Sequence, residues 1–137
     1  MLSDKIKLIQ RRKIEDSRGY FYKVIDGKEE SLPNYTGEVY ITMAKPLEAK
    51  GGHYHPLANE WFTLLKGSCT VELVDLFTGE KLSLRLDEND AKTLFVPNNI
   101  AHIFKNDSDT DDFILLAYTD QLYKPEDTII FHFTELA

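Results

Sequence analysis

Short runs in which apolar and polar residues alternate recur along this chain, most clearly at residues 38–43, 70–74, 81–86 and 113–118. Side chains of a β-strand point to opposite faces in turn, so each run predicts a strand with one apolar face. Runs rich in β-branched and aromatic residues predict further strands at residues 6–12, 20–25, 61–66, 93–96, 102–106 and 128–133. No segment has the periodicity of a long helix. About ten short strands separated by turn residues predict an all-β, double-sheet jelly roll.

The chain has 137 residues, which suits one domain with a substantial core. Its formal net charge of −7 argues against a nucleic-acid partner, which requires clustered cations. The single cysteine, Cys69, cannot form an intrachain disulfide, and this fits a reducing compartment. The first residues lack the apolar core of a signal peptide, and no run approaches the ~20 apolar residues of a membrane span. We therefore expect a cytoplasmic protein that binds neither nucleic acid nor membrane.

Two short stretches carry the candidate chemistry. His53 and His55 are separated by one residue, so on an extended strand their imidazoles point to the same side. Glu60 follows after a short bend, and His102 begins another predicted strand. Three neutral imidazoles and one carboxylate are a ligand set suited to zinc, iron, manganese, nickel or copper.

These residues resemble the two sequence motifs of the cupin superfamily. The first motif is matched by His53, His55, Glu60 and Gly67, and the second by Pro97, His102 and Asn106. Asn99 stands at a glycine position of the second motif, where asparagine is the next best residue at positive φ. Leu47 and Ala91 replace the glycines with which the motifs begin. The resemblance implies an RmlC-like cupin jelly roll over residues 1–137 that binds a divalent metal, zinc in the nearest relatives.

Residues outside the metal motifs narrow the family. Residues 16–21, Asp-Ser-Arg-Gly-Tyr-Phe, resemble the amino-terminal signature of dTDP-4-dehydrorhamnose 3,5-epimerases, and residues 123–127, Tyr-Lys-Pro-Glu-Asp, are similar to their carboxyl-terminal segment. Residues 50–55, Lys-Gly-Gly-His-Tyr-His, are more similar to the zinc-binding cupin domain of capsular-polysaccharide reductase/epimerases, and 3,4-ketoisomerases share part of that pattern. The resemblance implies that the amino-terminal signature helps to bind the nucleotide portion of the substrate. Arg18 is the candidate for the diphosphate, because its planar guanidinium matches phosphate oxygens. Tyr20 and Phe21 are candidates for stacking on the base, with core packing as the alternative for Phe21, and Lys50 is a candidate for contact with the substrate.

All three relatives act on nucleotide-linked 4-keto-6-deoxy sugars, and the resemblance therefore implies an epimerase or ketoisomerase of a dTDP- or UDP-linked sugar in polysaccharide or deoxysugar biosynthesis. The 4-keto group acidifies the hydrogen at C3, and a base can remove that proton to leave an enolate. Protonation of the other face gives epimerisation, whereas protonation elsewhere along an enediol moves the ketone. Leu115 stands about where the rhamnose epimerases carry their acid tyrosine, which points to another keto sugar.

The catalytic residues predicted from this chemistry are His53, Tyr54 and His102. A metal, Lys50 or Tyr54 could stabilise the enolate oxygen. His53 is a metal ligand if the ion is present, and is the base if it is absent.

Two other functions are compatible with the same candidate residues. A metal-dependent cupin oxygenase would employ the same four ligands, and a non-catalytic cupin would bind a small molecule as a sensor. Whichever function applies, we expect the protein to be a homodimer, because a partner subunit can cover an exposed edge strand. Arg18 would then lie near the mouth of the pocket, either its own or that of the neighbouring subunit.

Overall fold

The computed structural model describes residues 1–17, 19–22, 24–25, 28–32 and 37–133, and twelve strands lie within these ranges. One short helix, α1, spans Leu2–Lys5, and a 3₁₀ turn spans Pro125–Asp127. The strands are β1 Lys7–Gln10, β2 Ile14–Asp16, β3 Gly19–Phe21, β4 Glu38–Ala44, β5 Ala49–Tyr54, β6 Glu60–Lys66, β7 Ser68–Asp75, β8 Lys81–Asp87, β9 Lys92–Val96, β10 Ile100–Lys105, β11 Phe113–Thr119 and β12 Ile129–Ile130.

Ten of these strands form two antiparallel five-stranded sheets. The first has the strand order β1-β9-β6-β11-β4, and the second has the order β12-β5-β10-β7-β8. The apolar faces predicted for β7, β8 and β11 lie between the sheets, where Phe62 of β6, Leu73 of β7, Phe104 of β10 and Phe113 of β11 belong to one buried cluster. The apolar residues of β4 differ from this expectation, because Ile41 and Met43 are exposed. Two packed antiparallel sheets around one core confirm the predicted all-β jelly roll.

The amino-terminal segment differs from the predicted pattern. The run at residues 20–25 forms a strand only as far as Phe21, and residues 14–16, which lie between two predicted strands, form the strand that pairs with it. Within the remainder of that run, the backbone carbonyl of Val24 accepts hydrogen bonds from the side chains of Arg11 and Thr93. The strand predicted at residues 128–133 is likewise limited to Ile129–Ile130.

Three positions where the cupin motifs carry glycine adopt positive φ angles in this chain. Asn99 has φ 63°, as predicted, and Leu47 and Ala91 have φ 63° and 50°. A residue with a Cβ atom is strained in this region, and asparagine tolerates it better than leucine does. Leu47 is 69 % exposed, so its side chain contributes little packing that could offset the strain.

We expect Leu47→Asn to raise the free energy of unfolding by roughly 1 kcal/mol, because asparagine relieves part of the left-handed strain. Urea denaturation measures the change. Leu57→Asn is the matched control, since Leu57 is also exposed but is absent from the positive-φ positions of the described chain. An equal effect of both substitutions would contradict the assignment of strain to Leu47.

Candidate active site

The backbone of β5 carries His53 directly opposite His102 of β10. Gly51 makes this approach possible, because its φ is +94° and an added Cβ atom would lie 2.9 Å from the carbonyl oxygen of His102. The register of the two strands also shifts between His102 and Ile103, and such a bulge re-aims the side chains beside it. The glycine before the His-x-His pair therefore brings imidazoles from two strands together.

Three imidazoles and one carboxylate converge at this point, as the sequence predicts. One nitrogen of each of His53, His55 and His102 lies within 4.8 Å of the others. The carboxylate oxygen Oε1 of Glu60 lies 2.8 Å from Nε2 of His55 and 3.6 Å from Nε2 of His102. Glu60 and His102 are each only 2 % exposed.

Backbone carbonyls fix the orientation of two of the imidazoles. Nδ1 of His55 lies 2.8 Å from the carbonyl oxygen of Asp127, and Nδ1 of His102 lies 3.1 Å from that of Ile100. A carbonyl oxygen can only accept, so Nδ1 of each ring donates a proton and Nε2 of the neutral ring carries a lone pair. Within the described chain, neither Nε2 atom nor Oε1 of Glu60 has a hydrogen-bond partner. Three buried lone pairs that face one another require a proton or a cation between them.

The charges of the neighbouring groups also favour a proton or a cation between these atoms. Burial lowers the pKa of His55, but the adjacent carboxylate of Glu60 and the backbone carbonyl of Asp127 outweigh burial, and the net pKa is raised. Burial raises the pKa of Glu60, but His55, His102 and Tyr40 together hold it below its ordinary value. Burial lowers the pKa of His102 to about 4 and also lowers the pKa of His53. The site thus holds a carboxylate among imidazoles that are neutral or share its compensating proton.

Sequence reasoning missed Tyr40, which lies on β4, an edge strand of the sheet that also contains Glu60. Its hydroxyl donates a hydrogen bond of 2.7 Å to Oε2 of Glu60, the oxygen that faces away from the imidazoles. Burial and the charge of Glu60 raise the pKa of Tyr40, so the phenol stays protonated and remains a donor. No local pattern in the sequence links two residues that are 20 positions apart on different strands.

The imidazoles of His53 and His55 face a cavity of about 400 Å³ between the two sheets. His53, His55, Glu60 and Tyr40 line the cavity, and Leu122 and Tyr123 contribute apolar surface to it. Pockets of this size suit small-molecule ligands. The cavity therefore places two imidazoles and a carboxylate where they can meet a ligand.

Asp127, in the 3₁₀ turn, holds the loop after His55. It is buried, and its carboxylate accepts hydrogen bonds from the backbone amides of Leu57 at 2.7 Å and Ala58 at 3.2 Å. Its carbonyl oxygen is the acceptor for His55. The motif at residues 123–127 thus has a structural role that its resemblance did not reveal: it positions a site histidine and lines the cavity.

The remaining predicted residues lie elsewhere or outside the described chain. Lys50 is exposed on β5 and is not among the described residues that line the cavity. Tyr54 is adjacent to His53 on β5, and its side chain therefore points to the opposite face of the strand. Tyr20 and Phe21 lie in β3, which pairs with β2 in a separate two-stranded sheet. Arg18 lies outside the described residues, and its role stays a prediction.

In the described chain, no helix has the length and apolar character needed to cross a lipid bilayer.

Comparison with known proteins identifies one similar sequence and several solved structures with a similar fold. The chain is 24 % identical over 128 residues to the spore coat polysaccharide biosynthesis protein SpsL of Bacillus subtilis, which covers 90 % of this chain and 83 % of that protein. The structure matches the dTDP-6-deoxy-D-glucose-3,5-epimerase RmlC of Legionella pneumophila, solved with dTDP-4-keto-L-rhamnose, with a TM-score of 0.83 and 19 % identity over 95 % of this chain and 74 % of that one.

A second match is a mutant of the 3,4-ketoisomerase QdtA of Thermoanaerobacterium thermosaccharolyticum, solved with TDP-4-keto-6-deoxyglucose. The TM-score is 0.76 and the identity is 21 %, over 91 % of this chain and 86 % of that one. These similarities confirm the RmlC-like cupin fold. The model of the family described as "Polysaccharide biosynthesis C-terminal domain" matches residues 14–130. The chain therefore belongs to the polysaccharide biosynthesis C-terminal domain family, built on an RmlC-like cupin jelly roll.

Proposed function

We propose that this chain is an isomerase that acts on a dTDP- or UDP-linked 4-keto-6-deoxy hexose, either as an epimerase or as a 3,4-ketoisomerase. The observation that carries the proposal is the imidazole and carboxylate cluster facing the cavity, because it supplies a proton acceptor inside a fold shared with enzymes of both kinds. The similarity to a spore coat polysaccharide biosynthesis protein supports a role in polysaccharide or deoxysugar biosynthesis. The free, buried thiol of Cys69 fits a reducing compartment such as the cytoplasm.

We assign the removal of the proton at C3 to His53. It lines the cavity, whereas His102 is buried behind it and His55 is held by Glu60 and Asp127. The imidazole of His53 removes the C3 proton, and the electrons of the C–H bond move into the enolate whose oxygen is at C4. Return of a proton to the opposite face of C3 inverts that centre. Protonation at C4, with transfer of the hydroxyl proton from the C3 oxygen to the C4 oxygen, instead moves the ketone to C3.

The residues behind His53 fit a divalent metal ion. His55, Glu60 and His102 present two imidazole nitrogens and one carboxylate oxygen that lie close together and lack hydrogen-bond partners in the described chain. This donor set suits zinc and other transition metals, and three protein ligands leave a position open. A bound ion would act as a Lewis acid towards the oxygen that becomes negative. His53 is the fourth predicted ligand. We assign to it the removal of the C3 proton instead of metal binding, because a nitrogen bound to a metal cannot also accept a proton.

The product distinguishes the two reactions. In deuterated water, an epimerase returns deuterium to C3 and leaves the ketone at C4. A 3,4-ketoisomerase places deuterium at C4 of the product and, through the reverse reaction, at C3 of the substrate. The carbonyl position in the carbon NMR spectrum therefore identifies the reaction.

A second function is favoured by one feature of the same site. Two histidines and one carboxylate with open positions form the ligand set of many non-haem iron oxygenases. Oxygen consumption by the iron-loaded protein, without deuterium exchange into any nucleotide-linked keto sugar, would support an oxygenase instead. Binding of such a sugar with neither reaction would support a non-catalytic cupin.

We also propose that the protein is a homodimer in which the outer face of β4 meets a second copy. β4 is an edge strand, and Val39, Ile41 and Met43 alternate along its outer face with Ile41 63 % and Met43 44 % exposed. The apolar face continues into β11, where Leu116 pairs with Ile41. A symmetric partner covers both the apolar face and the open edge.

We expect light scattering at micromolar concentration to give the mass of a dimer for the wild-type protein and of a monomer for Ile41→Glu, because a buried unpaired charge disrupts an apolar interface. Phe77→Glu is the control, since Phe77 is an exposed apolar residue in the turn between β7 and β8. A monomeric wild-type protein, or dissociation by both substitutions, would contradict the proposed interface.

A further inference from the structure

We propose that Tyr40 positions Glu60 for ion binding: its hydroxyl occupies one carboxylate oxygen and leaves the other directed at the imidazoles. The inference rests on the proposed function in so far as it assumes that a metal ion is held by His55, Glu60 and His102. It adds a residue that lies outside both cupin motifs. Tyr40 contacts none of the predicted ligands except Glu60 in the hydrogen bonds and ion pairs of the described chain.

The two oxygens of Glu60 have different surroundings. Oε2 accepts the hydrogen bond of 2.7 Å from the Tyr40 hydroxyl. Oε1 lies 2.8 Å from Nε2 of His55 and has no hydrogen-bond partner among the described residues. A carboxylate whose oxygens were equivalent could turn about its terminal bond and offer either one, or both, to an ion. The phenol removes that freedom, because turning the carboxylate would break a charge-assisted hydrogen bond in a buried site.

The strand arrangement explains how Tyr40 reaches Glu60. β11 lies between β4 and β6, and the residue of β11 opposite Tyr40 is Ala117. The methyl group of Ala117 leaves room for a phenol to extend across β11 towards the start of β6, where Glu60 lies. The contact thus depends on a small residue in the intervening strand, and it links the edge strand of one sheet to the cluster formed with the other.

Tyr40 also lines the cavity, so a loss of activity alone would not separate positioning from contact with the substrate. Measuring the affinity for the ion in the absence of substrate separates the two roles. Hydrogen-bond partners of metal ligands typically contribute a factor of 10–100 to affinity for the ion. Removing the hydroxyl while keeping the ring tests this contribution.

The experiment compares zinc affinity of the substrate-free wild-type protein and Tyr40→Phe by competition with a chromophoric chelator. We expect Tyr40→Phe to bind zinc roughly 10–100-fold more weakly. Tyr118→Phe is the matched control, because the Tyr118 hydroxyl accepts a hydrogen bond from the backbone amide of Gly37, and its affinity should equal that of the wild-type protein. With cobalt in place of zinc, the visible absorption bands should change in Tyr40→Phe and stay unchanged in Tyr118→Phe.

A double-mutant cycle tests whether Tyr40 affects ion binding through Glu60. In a Glu60→Gln background, Tyr40→Phe should cause no further loss of affinity, because the phenol acts through the carboxylate. Equal zinc affinity and equal cobalt spectra for Tyr40→Phe and the wild-type protein would overturn the inference while leaving the proposed metal site intact. A further loss in the Glu60→Gln background would overturn it as well. Wild-type protein that binds no ion would overturn the metal site of the proposed function and this inference with it.

Discussion

Replacing His53 by asparagine is expected to reduce deuterium exchange into a nucleotide-linked 4-keto-6-deoxy sugar by about 10²–10⁴-fold, the usual contribution of a positioned general base. Asparagine is similar in size to histidine and keeps polar atoms in the cavity, but its amide cannot accept a proton from carbon near neutral pH. Burial lowers the pKa of His53, so the imidazole is neutral, and able to accept, at pH 7. The change should fall on the turnover rate more than on substrate binding, because His53 acts on the transferred proton.

His132→Asn is the matched control for this substitution. His132 is exposed and lies beyond β12, outside the residues that line the cavity. Its replacement should leave the exchange rate within about twofold of the wild-type rate, as expected for a surface position. Exchange by His53→Asn at a rate close to that of the control would show that another group removes the proton.

The second large effect is expected from the carboxylate. Glu60→Gln should lower zinc affinity by at least about 100-fold, because it removes the negative charge that compensates a divalent ion. Deuterium exchange should fall with the loss of the ion, and removal of the ion from the wild-type protein with a chelator should have the same effect. Elemental analysis of the purified variants measures the first change, and the exchange rate measures the second.

Glu72→Gln controls for the loss of a buried carboxylate as such. Glu72 is also buried, on β7, where it pairs with Lys105 at 3.0 Å and lies away from the imidazoles. Its replacement should leave the metal content unchanged. Retention of the ion by Glu60→Gln, or full exchange by the metal-free protein, would contradict the role assigned to this site.

The elements that the sequence predicted well are those determined by local pattern. Alternation of apolar and polar residues located β4, β7, β8 and β11 to within about two residues, because side chains of a strand point to opposite faces in turn. It did not predict that Ile41 and Met43 of β4 are exposed rather than part of the core. The glycine-rich motif predicted the convergence of His53 and His55 with His102, since pairing of β5 with β10 follows from the fold. Asn99 adopts the positive φ angle that its place in the motif implied.

Interactions between segments that are far apart in the chain could not be predicted from the sequence. The contact of Tyr40 with Glu60 depends on the order β6-β11-β4 and on a small residue at Ala117, neither of which leaves a local signal. The hydrogen bonds of Asp127 to the amides of Leu57 and Ala58 likewise join segments about 70 positions apart. The hydrogen bonds from the side chains of Arg11 and Thr93 to the carbonyl of Val24 are a further example.

The most direct test of the proposed chemistry is the incubation of purified wild-type protein in deuterated water with TDP-4-keto-6-deoxyglucose, the ligand of the matched ketoisomerase, and with its UDP-linked counterpart. Removal of the C3 proton is common to epimerisation and ketone migration, so either reaction must exchange hydrogen bound to carbon with solvent. We predict deuterium at C3 or C4 in at least one of the sugars, detected by mass spectrometry and located by NMR, and no incorporation with His53→Asn. The absence of deuterium from every nucleotide-linked keto sugar, with the metal present and the protein folded, would contradict the proposed function.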